Sequence, residues 1–426
     1  MNEILSLNTK AILLLTAPLI VVRNKGKEPA DLLKPGEYTK LALYLQERGR
    51  QPADLLGSDA DQILRDCHYI LEKDRLMRLL DRGFLLSQAI ERWQTRAIWV
   101  MSRADDSYPQ RLKSQLKKDS PSLLYGCGEQ ELLNSGGLAV VGSRNANGSL
   151  VEYTQQVGQL TAQADRTVVS GGARGIDQAA MSSALEAGGK VTGVLADSLE
   201  RTVMKRENRD RLLKGQLVLI SPYDPNAGFK AGHAMQRNKV IYALADVALV
   251  VNADLNKGGT WAGATEQLEK LHLVPVFVRS NGGFSESLEA LKNKGAMPWP
   301  NPTDTDDLNA VFQSAASRSA TPPTQSNLPF DAQQQPVKPG LLTGVSPDLQ
   351  VAEDPVPSPA EELHQTIQSL IIHILKKPKK SVEVATELNV TKRQAEEWLN
   401  RLVAENILEK GGRPVRYIIR QNSLPG

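Results

Sequence analysis

Two glycine-rich turns in this sequence carry residue types that could bind an anion. The first follows the apolar run LAVVG and the second follows TVVSG. At the carboxyl end of a parallel strand, such a turn presents backbone N–H groups to an anion, and a nearby arginine adds a guanidinium suited to phosphate oxygens. We therefore predict a shared phosphate site, although tight turns with a structural ion pair would use the same residues. The candidates are Gly142, Ser143, Arg144, Gly171, Gly172 and Arg174.

A second candidate cluster combines an aromatic ring with cations. Phe229 and Lys230 are followed closely by Arg237, Asn238 and Lys239. Single-stranded nucleic acids bind to sets of this kind because bases stack on aromatic rings while phosphates contact lysine or arginine. Core packing of the ring and a solvated helix end would be consistent with the same spacing, so the sequence leaves both interpretations open.

The sequence contains no motif typical of catalysis or metal binding. Its five histidines are scattered, with no H-E-x-x-H and no Cys/His cluster, and it has no G-x-S-x-G elbow, P-loop or complete G-x-G-x-x-G fingerprint. We therefore expect no catalytic residue, no cofactor and no metal. Asp177 is expected to cap the helix after the second turn. An enzyme acting on nucleotides would need a carboxylate facing the turns, for which Glu207 and Asp246 are conceivable.

Composition places the chain among ordinary soluble proteins. Its 426 residues are enough for two to four domains, and 41% hydrophobic with 23% charged residues is typical of globular chains. The net charge is +3, so any surface for nucleic acid must be local. Two cysteines are too few for a disulfide framework, which favours a cytoplasmic location.

The elements that must position these residues alternate along the chain. Short β-branched runs alternate with helix-length amphipathic stretches from about residue 138 to residue 280. This predicts an α/β fold with a Rossmann-like, doubly wound, mostly parallel sheet, because parallel strands need crossover helices and bury both faces. The predicted strands are 138–142, 167–171, 190–195, 217–221, 247–252 and 274–278. The predicted helices are 151–164, 177–187, 206–213, 234–244 and 262–271.

Three other regions surround this core of residues 101–300. Residues 1–100 are predicted to form a helical domain, in which the apolar run 11–22 is a buried element too short to cross a membrane. Residues 301–360 are predicted to be a disordered linker, because nine prolines fall between residues 321 and 360. In residues 361–426, three short helices and a hairpin at 407–420 predict a winged helix.

The order of these motifs resembles the DprA/Smf family of DNA-processing proteins. The resemblance rests on GSRNANG, SGGARGIDQAAMSSALEAGG and RNKVIYALADVALVV, within roughly residues 100–280. It implies a Rossmann-like core that dimerises and binds single-stranded DNA, with a helical domain of the SAM/HhH-like type before it and a winged helix after it. By position, Arg144 looks like a phosphate-binding arginine, and Gly171, Gly172 and Arg174 align with pocket loops. Phe229 and Arg237 lie near the family's Phe and R-N pocket.

The resemblance implies a function and several partners. We expect a cytoplasmic, non-enzymatic recombination mediator that protects incoming single-stranded DNA and helps to load RecA recombinase in natural transformation, as a homodimer with no membrane association. Lys239 replaces the family's usual arginine and Met181 its usual histidine, and KGGTW at 257–261 stands in place of its Ser-Gly loop. The alternatives are a nucleotide-processing enzyme such as a phosphoribohydrolase-like protein, or a transcriptional regulator that reads duplex DNA with its winged helix.

Overall fold

The computed structural model describes the chain as two compact units. The first contains the described residues 5–19 and 31–319, and the second contains those near the C terminus. In the second unit the described residues are 368–369, 371–372, 374–375, 378–388, 392–405, 407–411 and 415–420.

The first unit opens with helices. Helix α1 (Leu7–Thr16) begins after Ser6, whose hydroxyl oxygen accepts the N–H of Thr9 at 3.0 Å. Residues 11–15 are buried, which confirms that the apolar run is a core element, while its residues 20–22 lie outside the described residues. No helix among the described residues is long and apolar enough to cross a membrane. The helices that follow are α2 (Pro35–Glu47), a 3-10 helix (Pro52–Leu56), α3 (Ala60–Asp66), α4 (Lys73–Leu80) and α5 (Gly83–Gln94).

A nine-stranded sheet forms the centre of this unit. Its order is β1-β2-β6-β5-β4-β3-β7-β8-β9, and every strand pair from β6 to β9 is parallel. All six predicted strands are confirmed, and the structure adds β1 and β2, which extend one edge in antiparallel pairing, and the two-residue β9. The strands are β1 (Trp99–Ser102), β2 (Leu123–Cys127), β3 (Leu138–Val141), β4 (Val168–Ser170), β5 (Val191–Val194), β6 (Leu217–Ser221), β7 (Val247–Val250), β8 (Val276–Val278) and β9 (Met297–Pro298).

Helices cover both faces of the sheet. Along β3, Leu138 and Val140 belong to one buried cluster, and Ala139 and Val141 to the other, as the two-residue period of a strand requires. This is the doubly wound arrangement predicted from the alternating pattern. The helices are α6 (Gln110–Leu116), α7 (Gly148–Gln163), α8 (Ile176–Glu186), α9 (Leu199–Val203), α10 (Arg206–Leu213), α11 (Ala231–Leu244), α12 (Gly258–Glu266, with a π turn at Gln267–Leu271), α13 (Glu286–Asn293) and α14 (Thr305–Ser319). Two 3-10 helices lie at Lys117–Asp119 and Gln130–Asn134.

Helix α14 corrects the predicted start of the linker at residue 301. Leu308, Val311, Phe312 and Ala315 are buried at the spacing of one helix face. The Arg166 guanidinium lies 4.7 Å from the Phe312 ring centroid and fixes the helix against the rest of the unit. The prediction missed this helix because polar residues and prolines surround a short apolar stripe. Residues 320–367, where the rest of the predicted linker falls, lie outside the described residues.

The second unit contains helices α15 (Ser381–Glu387) and α16 (Lys392–Ala404), then the antiparallel strands β10 (Leu408–Gly411) and β11 (Arg416–Ile419). The predicted hairpin is confirmed in its strands, while its turn at 412–414 lies outside the described residues, as does most of the predicted first helix. Lys379 bridges to Tyr417 beside the hairpin. The winged-helix assignment therefore stays a prediction.

Candidate nucleic-acid interface

The two glycine-rich turns meet at one edge of the sheet. Their strands, β3 and β4, are neighbours and run parallel, so both turns leave at the carboxyl ends. Gly175 makes their contact possible because it adopts a φ of 86° and a Cβ there would lie 2.8 Å from the carbonyl oxygens of Ser143 and Arg144. The predicted convergence of the two turns is thus present in the structure.

Asp177 occupies the position that an external anion was predicted to take. It lies inside the first turn of α8, whose N-cap is Gly175, so it does not cap the helix as expected. Its carboxylate accepts the N–H of Ala173 at 3.4 Å and hydrogen bonds from the N–H groups of Gly142 and Gly171. Burial raises the pKa of Asp177, although Arg237 and these N–H groups oppose the rise. An external phosphate must therefore be bound mainly by side chains.

Arg237 supplies a buried positive charge behind the second turn. It extends from α11, is only 6% exposed and packs on Gly171, where an added Cβ would fall 1.5 Å from its Nη1. Burial lowers the pKa of Arg237, Asp177 opposes this and the nearby Arg144 adds to it. Nε and Nη1 of Arg237 are buried, and no hydrogen-bond partner for them lies among the described residues. Unpaired buried donors are costly, so this guanidinium favours a bound anion.

A cavity of about 700 Å³ opens beside these residues. Arg144, Arg174 and Phe229 form its exposed entrance, which we call the mouth. Phe229 is 52% exposed, and the Arg144 guanidinium lies 4.9 Å from its ring centroid, within cation–π range. The mouth thus combines a ring face with two arginines. The cavity wall unites six predicted site residues: Arg144, Gly171, Gly172, Arg174, Phe229 and Arg237.

Asn238 and Lys239 are engaged away from the cavity. The Asn238 amide donates to the carbonyl oxygen of Gly259 at 2.9 Å, which ties α11 to the start of α12. Lys239 forms an ion pair with Glu266 at 3.0 Å. Both side chains contribute to helix packing in this structure, and neither lines the cavity.

Of the remaining predicted residues, Gly142 and Ser143 hold the first turn in place and Lys230 lies on the surface. Gly142 and Ser143 are buried; the Ser143 N–H donates to Asn252 at 2.8 Å, and the Gly142 carbonyl accepts the Thr260 hydroxyl at 2.8 Å. These bonds fix the first turn to the segment after β7. Lys230 is exposed and directly follows Phe229.

The two carboxylates considered for catalysis lie in different places, and only Glu207 lines the cavity. Asp246 precedes β7, at the opposite edge of the sheet, where it accepts the N–H of Gly137 at 2.8 Å and pairs with Arg111. Glu207 is exposed on the cavity rim, 3.7 Å from Lys205. Among the described residues, no three His, Cys, Asp or Glu side chains are grouped as metal ligands.

The N-terminal helices contribute to the site through a contact that the sequence did not reveal. Glu200, in the first turn of α9, is bound by Arg92 of α5 at 2.5 Å and by Arg96, just after α5, at 2.7 Å. Helix α9 begins directly after Asp197 and Ser198, which line the cavity. The sequence shows the carboxylate of Glu200, but it does not show which residues bind it, because the two arginines lie about a hundred residues earlier in the chain.

Comparison with known proteins agrees with this architecture. The family model described as DNA recombination-mediator protein A matches residues 99–308. The DNA processing protein DprA of Streptococcus pneumoniae is 32% identical over 221 residues, which are 51% of this chain and 76% of that protein. The protein Smf of Escherichia coli K12 is 29% identical over 279 residues, covering 63% of this chain and 70% of its own length.

A solved structure supports the same relationship at the level of the fold. The X-ray structure of DprA from Streptococcus pneumoniae matches with a TM-score of 0.53 and 24% identity, over 66% of this chain and 94% of that one. This structural similarity agrees with the assignment of the sheet as Rossmann-like. On the family model and the sequence relatives together, this chain belongs to the DNA recombination-mediator protein A family, the DprA/Smf family of DNA-processing proteins.

Proposed function

We propose that this protein is a recombination mediator that binds single-stranded DNA at the cavity mouth and catalyses no reaction. The description of its family, a recombination mediator that processes DNA, supports a nucleic-acid ligand. The observation that carries the proposal is Arg237, a buried guanidinium with unpartnered donors on the cavity wall. A phosphodiester would satisfy this charge, while a ring at the same mouth would stack a base.

The mouth favours an unpaired strand over a duplex. About half of the Phe229 side chain is exposed, beside Arg144. A base can stack on this ring only if it is not already stacked between its neighbours in a duplex. Arg144, Arg174 and Lys230 are exposed and would contact phosphates. Phosphate contacts and ring stacking carry little base information, so binding is nearly independent of sequence.

The wider role follows the expectations for the family. In this proposal, the Rossmann-like core forms a homodimer that aligns two mouths along one strand, protects incoming DNA and helps to load RecA during natural transformation. The winged helix contributes contacts to DNA or to a partner. A cytoplasmic location is supported by Cys67 and Cys127, both buried free thiols.

A titration tests the proposal directly. Fluorescence anisotropy with labelled single-stranded and duplex oligonucleotides at several salt concentrations should show a preference for the single strand. Arg144→Ala should weaken binding roughly tenfold and make the slope of log affinity against log salt shallower by about 0.7, because one phosphate contact is lost. Arg174→Ala should have the same effect.

The matched control is Arg78→Ala, because Arg78 is 55% exposed in α4 and only loosely paired with Asp31 at 3.7 Å. This variant should bind like the wild type. Turnover of free nucleotides without oligonucleotide affinity would instead support the enzyme interpretation. Preference for one duplex sequence, lost on deletion of residues 361–426, would support a transcriptional regulator.

A further inference from the structure

The ring of Phe229 is carried by a loop that rests against the start of helix α9. We call residues 222–230, which connect β6 to α11, the Phe229 loop. The N–H of Ser198, the N-cap of α9, donates to the carbonyl oxygen of Ala227 at 2.9 Å. Ser198 has a φ of 53°, in the left-handed region, and a residue other than glycine keeps this conformation only where its surroundings enforce it. The start of α9 therefore depends on its neighbours to support the loop.

Two arginines at the end of helix α5 hold this part of α9 through Glu200. The Glu200 N–H donates to the carbonyl oxygen of Pro225, in the Phe229 loop, at 2.9 Å. Its carboxylate is bound by Arg92 at 2.5 Å and by Arg96 at 2.7 Å, and the Glu200 side chain is only 13% exposed. Salt screens ion pairs of this kind less than exposed pairs. Glu200 thus joins the N-terminal helices, through its side chain, to the Phe229 loop, through its backbone.

A second carboxylate, Asp224 of the Phe229 loop, adds a repulsion that the arginines must offset. Burial raises the pKa of Asp224, and the N–H of Asn226 and the charge of Arg92 oppose this rise. The charge of Glu200 adds to the rise, because the two carboxylates repel each other. One of these carboxylates belongs to α9 and the other to the loop that rests on it. Loss of the positive charge of Arg92 would therefore favour separation of the loop from α9.

We propose that Arg92 and Arg96 are positioning residues for single-strand binding, which hold Glu200 and thereby keep the Phe229 loop in place. The inference rests on the proposed function, in which a base stacks on Phe229. Within the described part of the chain neither arginine lines the cavity, so their effect on binding passes through Glu200. The N-terminal helices then contribute to DNA binding by placing the ring, without a contact to the strand.

Arg92→Met tests the inference because it keeps a long side chain and removes the charge. Fluorescence anisotropy with a labelled oligothymidylate should show a loss of affinity of roughly threefold to tenfold, as expected for weakened stacking of one base. The slope of log affinity against log salt should equal that of the wild type, because no phosphate contact is lost. Arg96→Met, which leaves the bonds from Arg92 in place, should cause a smaller loss in the same direction.

Two further measurements separate positioning from a general loss of stability. In a Phe229→Ala background, Arg92→Met should weaken binding by less than about twofold, because the ring that it positions is already absent. Hydrogen exchange measured by mass spectrometry should become faster in the peptide covering residues 197–201 of Arg92→Met. The reason is that the N–H groups of Ser198 and Glu200 lose their partners in the loop.

The matched control is Arg75→Met in α4. The Arg75 side chain is 18% exposed, against 19% for Arg92, and it forms an ion pair with Glu37 at 2.8 Å. Its other bonds go to the carbonyl oxygens of Asp31 and Leu32, away from the Phe229 loop. This variant should lose thermal stability but bind the oligothymidylate like the wild type.

The possible results distinguish this inference from the proposed function. Wild-type affinity in a folded Arg92→Met variant, or an equal loss in the wild-type and Phe229→Ala backgrounds, would overturn the inference and leave binding at the cavity intact. A shallower salt slope would make Arg92 itself a phosphate contact and would also overturn it. If the wild type binds no oligonucleotide, the proposed function fails and this inference fails with it.

Discussion

At the scale of residues, the central feature is the buried guanidinium of Arg237 near the buried carboxylate of Asp177. Asp177 binds the N–H groups of both turns and opposes the charge of Arg237, yet within the described part of the chain two donors of that guanidinium have no partner. A buried charge costs free energy unless its hydrogen-bonding groups are satisfied. Under the proposed function, a phosphate at the cavity wall would accept hydrogen bonds from these donors.

Gly171→Ala tests this arrangement without changing any charge. The added methyl would fall 1.5 Å from the Arg237 Nη1, so the guanidinium must move from the cavity wall. We expect roughly a tenfold loss of single-strand affinity, as for a lost bond to a charged group. Anisotropy measures the affinity, and thermal melting shows whether the variant is folded.

The control for this change is Gly148→Ala at the start of α7, where a Cβ meets no atom of the described residues within 4 Å. It should bind like the wild type. Unchanged affinity in a folded Gly171→Ala variant would show that the position of Arg237 does not matter for binding.

The residues of the site were predictable to different degrees. Arg144 and Phe229 were predicted from local sequence, as a cation in a glycine-rich turn and a ring beside cations, and both line the cavity. Asp177 could not be assigned correctly, because its hydrogen bonds to Gly142 depend on the approach of a turn that is distant in sequence. Asn238 looked like a ligand by position, but its amide binds Gly259.

At the scale of elements, the strands of the parallel core could be predicted from the sequence, whereas the edge strands β1 and β2 and helix α14 could not. Six β-branched runs identified six strands, because buried parallel strands are apolar throughout. Strands β1 and β2 lie at an antiparallel edge, outside the six runs that were predicted as strands. Helix α14 shows that an apolar stripe of four residues is hard to recognise beside a proline-rich region.

Among the N-terminal elements, Glu37 should couple stability to pH. It accepts the Lys34 N–H at 2.8 Å at the start of α2 and pairs with Arg75 of α4 at 2.8 Å. The bond from Arg75 and the Lys34 N–H lower its pKa from 4.5 to about 2. A lowered folded-state pKa means that this stabilisation is full above about pH 4.5 and is lost as the pH falls toward 2.

Urea unfolding of the wild type and of Glu37→Gln measures this contribution. At pH 7 the variant should be less stable by about 1 kcal/mol, because a partly exposed ion pair with one capping bond is lost. The difference should shrink at pH 3. A difference that stays constant between pH 7 and pH 3 would contradict the role of the ionised carboxylate.

At the scale of the molecule, the helices before residue 99 and the sheet form one packing unit. Buried residues of α1 to α5 belong to the same apolar cluster as one face of the sheet, and Trp93 packs edge to face on Tyr125 with ring centroids 5.3 Å apart. The bonds from Arg92 and Arg96 to Glu200 connect α5 to the cavity wall. The sequence predicted a helical domain over residues 1–100, and in the structure the helices of this region share one apolar cluster and one compact unit with the sheet.

This shared core predicts that α1 and the central strands unfold together. Native-state hydrogen exchange followed by mass spectrometry should give α1 and β3 the same free energy of opening at rising denaturant, because exposing α1 removes part of the apolar cover of the sheet. Glu200→Gln should lower both values by a similar amount, since it weakens the bonds that join α5 to α9. The exposed variant Glu47→Gln, at the end of α2, should change neither. Exchange of α1 at a much lower denaturant concentration than β3 would show that the N-terminal helices form a separate folding unit, and the Arg92 and Arg96 contacts would then be a docking interface between two domains.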